Sequence, residues 1–147
     1  MSAYQTVVVG TDGSDSSFRA VDRAGQIAAA ANAKIIVATA YFPQSEDKGA
    51  ADILKDEAYK VSGNAPIFEI LRDARDRAKA AGAQEVEERA IVGAPVDALV
   101  DLAEEVGADL LVVGNVGLST IAGRLLGSVP ANVARRSKSD VLIVHTS

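Results

Sequence analysis

Glycines recur at fixed intervals after an apolar run near the end of the chain. Gly114 follows DLLVV, two residues separate it from Gly117, and nine more separate Gly117 from the pair Gly127-Ser128. Glycine allows sharp turns and a close approach of backbone to a ligand. A serine that begins a helix marks a helix N-terminus, where an anion is stabilised. The spacing predicts a phosphate-binding loop; two tight turns and a helix cap are the alternative interpretation.

A second glycine-ended run lies at the start of the chain. In VVVGTDGS, Gly10 ends the run, and Thr11 and Asp12 follow it. Asp12 either contacts a ligand or caps the next helix. Neither stretch fits two widespread nucleotide motifs: Leu126, not Lys, precedes Gly127-Ser128, and GTDGSD departs from G-x-G-x-x-G.

Strands and helices alternate along the chain and position these glycines. Five apolar runs predict strands at residues 4–9, 34–40, 86–92, 109–113 and 141–145. Helical patterns with cap residues cover residues 14–31, 66–81, 95–106 and 128–136. Residues 41–65 predict a long loop with one candidate short helix, ADILKDEAYKV.

The alternation predicts the fold class: an α/β protein with a doubly wound, five-stranded parallel sheet in the order 3-2-1-4-5 and helices on both faces. In this order strands 1 and 4 are neighbours. Gly10 and Gly114, which end those strands, are therefore expected to face one crevice at the carboxyl edge of the sheet.

Composition limits the function classes. The 147 residues are 48% apolar and predict a single domain over residues 1–147. The chain has no Cys, which excludes disulfides and thiolate metal sites. A net charge of −5 disfavours nucleic acid as a partner. Neither a signal peptide nor an apolar run of membrane-spanning length is recognisable, so we expect no membrane partner and a cytoplasmic location.

Three separated blocks agree in order and spacing with a known family. They are VVVGTDGSDSSFRAVDRA, VGAPVDALVDLAEEVGADLLVVGNVG and GRLLGSVPANVARRSKSDVLIV. In these blocks the chain resembles the ATP-binding group of the universal stress protein (UspA-like) family, and most of all its short, single-domain mycobacterial members. The resemblance implies five parallel strands, dimerisation through the last strand and a site for an adenine nucleotide. Members of the family bind ATP, and some bind cyclic AMP (cAMP).

The resemblance also implies which positions form that site. Asp12 would meet the adenine or the ribose, Ala40 the adenine edge, and Ser128 the phosphate oxygens. The full implied set of nucleotide-binding residues is Gly10, Thr11, Asp12, Ala40, Val113, Gly114, Asn115, Gly117, Gly127, Ser128 and Val129.

The glycine loop departs from the family pattern in its charge. Asn115 and Val116 fill the first gap, where ATP-binding members often carry a basic residue, and only Arg124 remains of a Lys-Arg pair before the last glycine. A triphosphate carries several negative charges and a cyclic phosphate carries a single one. Fewer cations favour the less charged ligand. We therefore expect cAMP to bind as well as ATP or better; magnesium bound with ATP could instead supply the missing charge.

These observations predict an adenine-nucleotide-binding stress-response protein that senses or buffers its ligand and is not an enzyme. The alternatives are an ATP-hydrolysing or adenylyl-transferring enzyme, and a dimeric scaffold in which the nucleotide is structural. The last strand, from Val141 to His145, is apolar throughout. It predicts a homodimer if it lies at a sheet edge, and a simple internal strand otherwise.

Overall fold

One parallel sheet forms the centre of the molecule. The computed structural model describes residues 4–41, 53–115 and 128–145. Within them the strands are β1 (Thr6–Gly10), β2 (Lys34–Tyr41), β3 (Glu85–Val92), β4 (Leu110–Gly114) and β5 (Asp140–Val144). Their order is β3-β2-β1-β4-β5, with every neighbouring pair parallel. The predicted fold class and strand order are confirmed.

Four helices connect the strands. They are α1 (Asp15–Ala31), α2 (Ile53–Ala80), α3 (Pro95–Val106) and α4 (Ser128–Arg136). Helix α1 begins after Ser14, whose Oγ accepts a hydrogen bond from the Ser17 amide at 3.1 Å. Helix α3 begins at a proline and ends before Gly107, which has a left-handed φ of 67°. The predicted limits of α3 and α4 are confirmed, and those of α1 agree within one residue.

Helix α2 is longer than the sequence predicts. We expected a helix over residues 66–81 that begins at Pro66, but the helix starts at Ile53 and contains Pro66 in its interior. Proline has no N–H, so this turn lacks one backbone hydrogen bond. The part of α2 that follows Pro66 is held by a buried face, with Leu71, Ala74 and Ala78 packed on the sheet. The part that precedes Pro66 covers most of ADILKDEAYKV, the candidate short helix of the sequence, so two predicted helices form one.

Both faces of the central strands are buried. Val7 and Val9 of β1 pack on one face of the sheet with α1 and α2, while Val8 packs on the other face with α3. All three valines have 0% exposure. Helices α1 and α2 therefore cover one face of the sheet, and α3 and α4 cover the other. The backbone of β1 can meet a ligand only at the ends of the strand.

The two edges of the sheet differ in polarity. On β3, Glu87 pairs with Lys34 at 2.7 Å and with Arg89 at 2.8 Å, and Glu88 pairs with Arg75 of α2 at 3.1 Å. The opposite edge is β5, where Ile143 is 40% exposed. An internal position for the last strand is therefore wrong. Among the described helices none is long and apolar enough to cross a membrane.

The ion pairs of Glu87 predict a pH-dependent contribution to stability. Hydrogen bonds from Lys34 and then Arg89 hold the pKa of Glu87 below its ordinary value. The lowered pKa means that the carboxylate stabilises the fold above the ordinary pKa of Glu, and that this contribution is lost as the pH falls through the lowered value. We expect Glu87→Gln to cost about 0.5 kcal/mol at neutral pH, because a third of each side chain is exposed, and less near about pH 3, which is below the ordinary pKa of Glu.

Urea unfolding at the two pH values measures this difference. The exposed Glu69 of α2 provides a matched control, since Glu69→Gln makes the same chemical change away from the β3 edge. An equal cost of Glu87→Gln at both pH values would contradict the electrostatic explanation.

Candidate functional site

A small cavity lies at the carboxyl edge of the sheet, between the ends of β1 and β2 and the start of α3. Its volume is about 20 Å³, room for about one water molecule. The described residues that line it are Gly10, Thr11, Asp12, Ala38, Ala40, Pro95 and Leu99. The Thr11 amide extends the sheet here by donating to the carbonyl of Ala38 at 2.9 Å. The predicted residues from the β1 and β2 ends therefore share one cavity.

Asp12 has one carboxylate oxygen with a partner and one without. Oδ1 accepts a hydrogen bond from the Ser14 amide at 2.9 Å. Oδ2 is buried and has no hydrogen-bond partner among the described residues. A buried, unpaired carboxylate oxygen is costly, so this atom is where a ligand N–H or O–H would gain most. Asp12 also helps to form the turn before α1, so the two roles considered for it are compatible.

Two buried hydroxyl groups support the same turn. Thr11 Oγ1 and Ser17 Oγ lie 2.6 Å apart, and Thr11 Oγ1 accepts from the Gly13 amide at 3.1 Å. Ser17 was not among the predicted site residues. A serine in the first turn of a helix is too common to single it out, and its contact with Thr11 exists only after the chain has folded.

The predicted residues at the end of β4 lie at the same edge but outside this cavity. Gly114 ends β4 and is paired with Val144 of β5. The Asn115 amide donates to the Val144 carbonyl at 2.9 Å, and Asn115 Nδ2 lies 3.3 Å from Nδ1 of His145. Val113 is buried in the core. The cavity thus lies on the β2 side of β1, whereas we expected a crevice shared by β1 and β4.

Helix α4 begins at Ser128, as predicted, and its second residue is Val129. Gly117 and Gly127 lie outside the described residues. The cavity adds three residues that the sequence analysis missed: Ala38, Pro95 and Leu99. Ala38 lies within an apolar strand and Pro95 has the position of a helix start. Neither feature indicates a binding site in a sequence. In the part of the chain that the structure describes, no three His, Asp or Glu residues are grouped to hold a metal ion.

The fold is of the doubly wound α/β class, whose ligand sites lie beyond the carboxyl ends of the strands. A family model described as the universal stress protein family matches residues 3–145. The chain belongs to the universal stress protein family. A universal stress protein of Mycobacterium tuberculosis is 78% identical over 147 residues, which is the whole of both chains.

Solved structures of similar proteins contain adenine nucleotides. One is a universal stress protein in complex with cAMP, 73% identical, with a TM-score of 0.77 over 99% of this chain and 100% of that chain. Another is the universal stress protein from Archaeoglobus fulgidus in complex with dAMP, 25% identical, with a TM-score of 0.67 over 96% of this chain and 98% of that one.

Gly10 packs closely against Leu99 in the wall of the cavity. A Cβ on Gly10 would lie 2.6 Å from Cδ1 of Leu99, so an added methyl group must displace that side chain. We expect Gly10→Ala to cost about 1–3 kcal/mol and Leu99→Ala about 2–5 kcal/mol. In the double variant the new methyl group enters the space that Leu99 leaves, so the combined cost is smaller than the sum by about 1 kcal/mol or more.

Chemical denaturation of the four proteins measures the coupling. Additive costs would show that Gly10 and Leu99 do not compete for the same space.

Proposed function

We propose that this protein binds an adenine nucleotide at the carboxyl edge of its sheet and acts as a sensor or buffer of that nucleotide. The observation that carries the proposal is the unpaired, buried Oδ2 of Asp12 beside a cavity lined by small residues. The relative in complex with cAMP, at 73% identity, supports the choice of ligand class.

The small side chains around the cavity suit the approach of a nucleoside. Gly10, Ala38 and Ala40 present little side-chain bulk, so a base can lie against the ends of β1 and β2, outside the 20 Å³ cavity itself. Asp12 Oδ2 can accept a hydrogen bond from the adenine amino group or from a ribose hydroxyl. Cyclic AMP has one free ribose hydroxyl, at the 2′ position, and dAMP has one at the 3′ position. Either ligand can therefore satisfy a single carboxylate oxygen.

Between cAMP and ATP, we propose that cAMP binds as tightly or more tightly. The glycine loop carries Asn115 and Val116 where a basic residue would help to neutralise a triphosphate. Arg124 is the one basic residue between Gly114 and Gly127. Binding of ATP would then depend on magnesium to offset the phosphate charge.

We propose binding without turnover. Asp12 is the one titratable side chain among the described residues that line the cavity, and its Oδ1 is already engaged by the Ser14 amide. Hydrolysis or adenylyl transfer needs a base placed near the reacting phosphate. The proposed location is the cytoplasm, where adenine nucleotides are synthesised and consumed.

Calorimetric titration of ligand-free protein with cAMP, ATP and ATP plus magnesium tests this function. We expect all three to bind, with cAMP the tightest or equal to the tightest. Tighter binding of magnesium-ATP would contradict the cAMP preference. No binding of any of them would contradict the function itself and favour a scaffold.

Asp12→Asn tests the atom on which the proposal rests. The change replaces a charged acceptor by a neutral amide of the same size, and we expect cAMP affinity to fall by about 1.5–3 kcal/mol. Asp73→Asn, on an exposed position of α2, makes the same change away from the site and should leave the affinity unaltered. Unchanged affinity of Asp12→Asn would show that Oδ2 does not contact the ligand.

We also propose that two copies associate through β5. Its outer side has no paired strand in the described chain, and Ile143 is 40% exposed there. The opposite edge, β3, carries the ion pairs of Glu87 and Glu88, which oppose pairing with another strand.

Ile143→Lys tests this interface. A lysine on an edge strand disfavours pairing, so we expect the variant to be monomeric where the wild type is dimeric, as measured by sedimentation. Val92→Lys is the matched control, because Val92 is 59% exposed on the β3 edge. Dissociation by Val92→Lys and not by Ile143→Lys would place the interface at β3 and contradict the proposal.

A further inference from the structure

The hydroxyl group of Ser17 contacts three residues of the turn between β1 and α1. It lies 2.6 Å from Thr11 Oγ1, accepts from the Asp12 amide at 3.3 Å, and donates to the Ser14 carbonyl at 3.0 Å. Ser17 itself has 0% exposure, so it is shielded from any ligand in solution. One buried hydroxyl therefore contacts most of the turn that carries Asp12.

The contacts fix the direction of the hydrogen bonds. Each hydroxyl group has one hydrogen. Because Ser17 donates its hydrogen to the Ser14 carbonyl, Thr11 must be the donor in the contact between the two hydroxyls. Thr11 Oγ1 in turn accepts from the Gly13 amide. The result is a chain of bonds in one direction: Gly13 amide, Thr11 hydroxyl, Ser17 hydroxyl, Ser14 carbonyl.

Asp12 is held at two points by residues of this hydrogen-bonded chain. The Asp12 amide is held by Ser17, and Oδ1 is held by the amide of Ser14, whose carbonyl also accepts from Ser17. With the backbone and one oxygen held, the position of the second oxygen, the unpaired Oδ2, follows.

Helix stability alone does not account for the Ser17 hydroxyl. Ser14 already caps α1 through its side chain, and alanine is the better residue within a helix and in a fully buried place. Two of the three contacts of the hydroxyl go to Thr11 and Asp12, which precede the helix.

We propose that Ser17 is a positioning residue for the nucleotide: it sets the affinity by holding Asp12 so that Oδ2 is ready to accept the ligand's hydrogen bond, without touching the ligand. This inference rests on the proposed function and adds a residue outside the cavity to it.

Binding measurements on Ser17→Ala, Asp12→Asn and the double variant test the proposal. We expect Ser17→Ala to weaken cAMP binding by about tenfold or more. Because Ser17 acts through Asp12, the double variant should bind within about twofold of Asp12→Asn alone. Independent, multiplying losses in the double variant would overturn the proposal.

Amide hydrogen exchange in the ligand-free variants gives a second readout. In Ser17→Ala the Asp12 and Gly13 amides should exchange about tenfold faster or more, since their acceptors are removed or released. The Phe18 amide donates to the Ser14 backbone carbonyl and should keep its rate. Unchanged exchange at Asp12 and Gly13 would overturn the proposal.

Val21→Ala separates positioning from general destabilisation. Val21 is fully buried one turn further along α1, so its truncation loosens the same helix without removing a hydrogen bond of the turn. It should lower the melting temperature and leave cAMP affinity unchanged; an equal loss of affinity in Val21→Ala and Ser17→Ala would overturn the proposal. If wild type binds no nucleotide, the proposed function fails as well. If wild type and Ser17→Ala bind equally tightly, only the positioning role fails.

Discussion

Burial of the central strand β1 on both faces governs the rest of the architecture. It is hydrogen-bonded to β2 on one side and to β4 on the other, and its valines are covered on both faces. A strand enclosed in this way can offer a ligand only its carboxyl end. Gly10 is the last residue paired with β2, and Thr11 and Asp12 follow it. The location of the candidate site is therefore a consequence of how the core is built.

Most of the fold was predictable because burial leaves a periodic record in the sequence. Continuous apolar runs identified the strands within one or two residues, and cap residues such as Ser14 and Gly107 identified helix ends. Helix α2 was the exception. Proline is typical of a helix start, but the pyrrolidine ring only removes one hydrogen bond when it lies inside a helix, so Pro66 did not mark the boundary.

The site was predictable only in its strand-end residues. Glycine after an apolar run marks a turn at a strand end, which sufficed for Gly10 and Gly114. The resemblance to a family suggested the role of Asp12. The unpaired state of Oδ2 is a property of the folded turn, in which Oδ1 accepts from the Ser14 amide and no described group bonds to Oδ2. Leu99 and Pro95 enter the cavity because α3 packs beside β1 and β2, and no spacing along the chain encodes that contact.

The unequal edges of the sheet also limit how large an assembly can grow. On β3, charged side chains occur on both faces, with Glu87 and Arg89 on one and Glu88 on the other. These charged side chains oppose the addition of a second sheet there. If two copies associate through β5 as proposed, the edges left to the pair are the two charged β3 strands. Such a pair would be closed and would resist growth into a fibre.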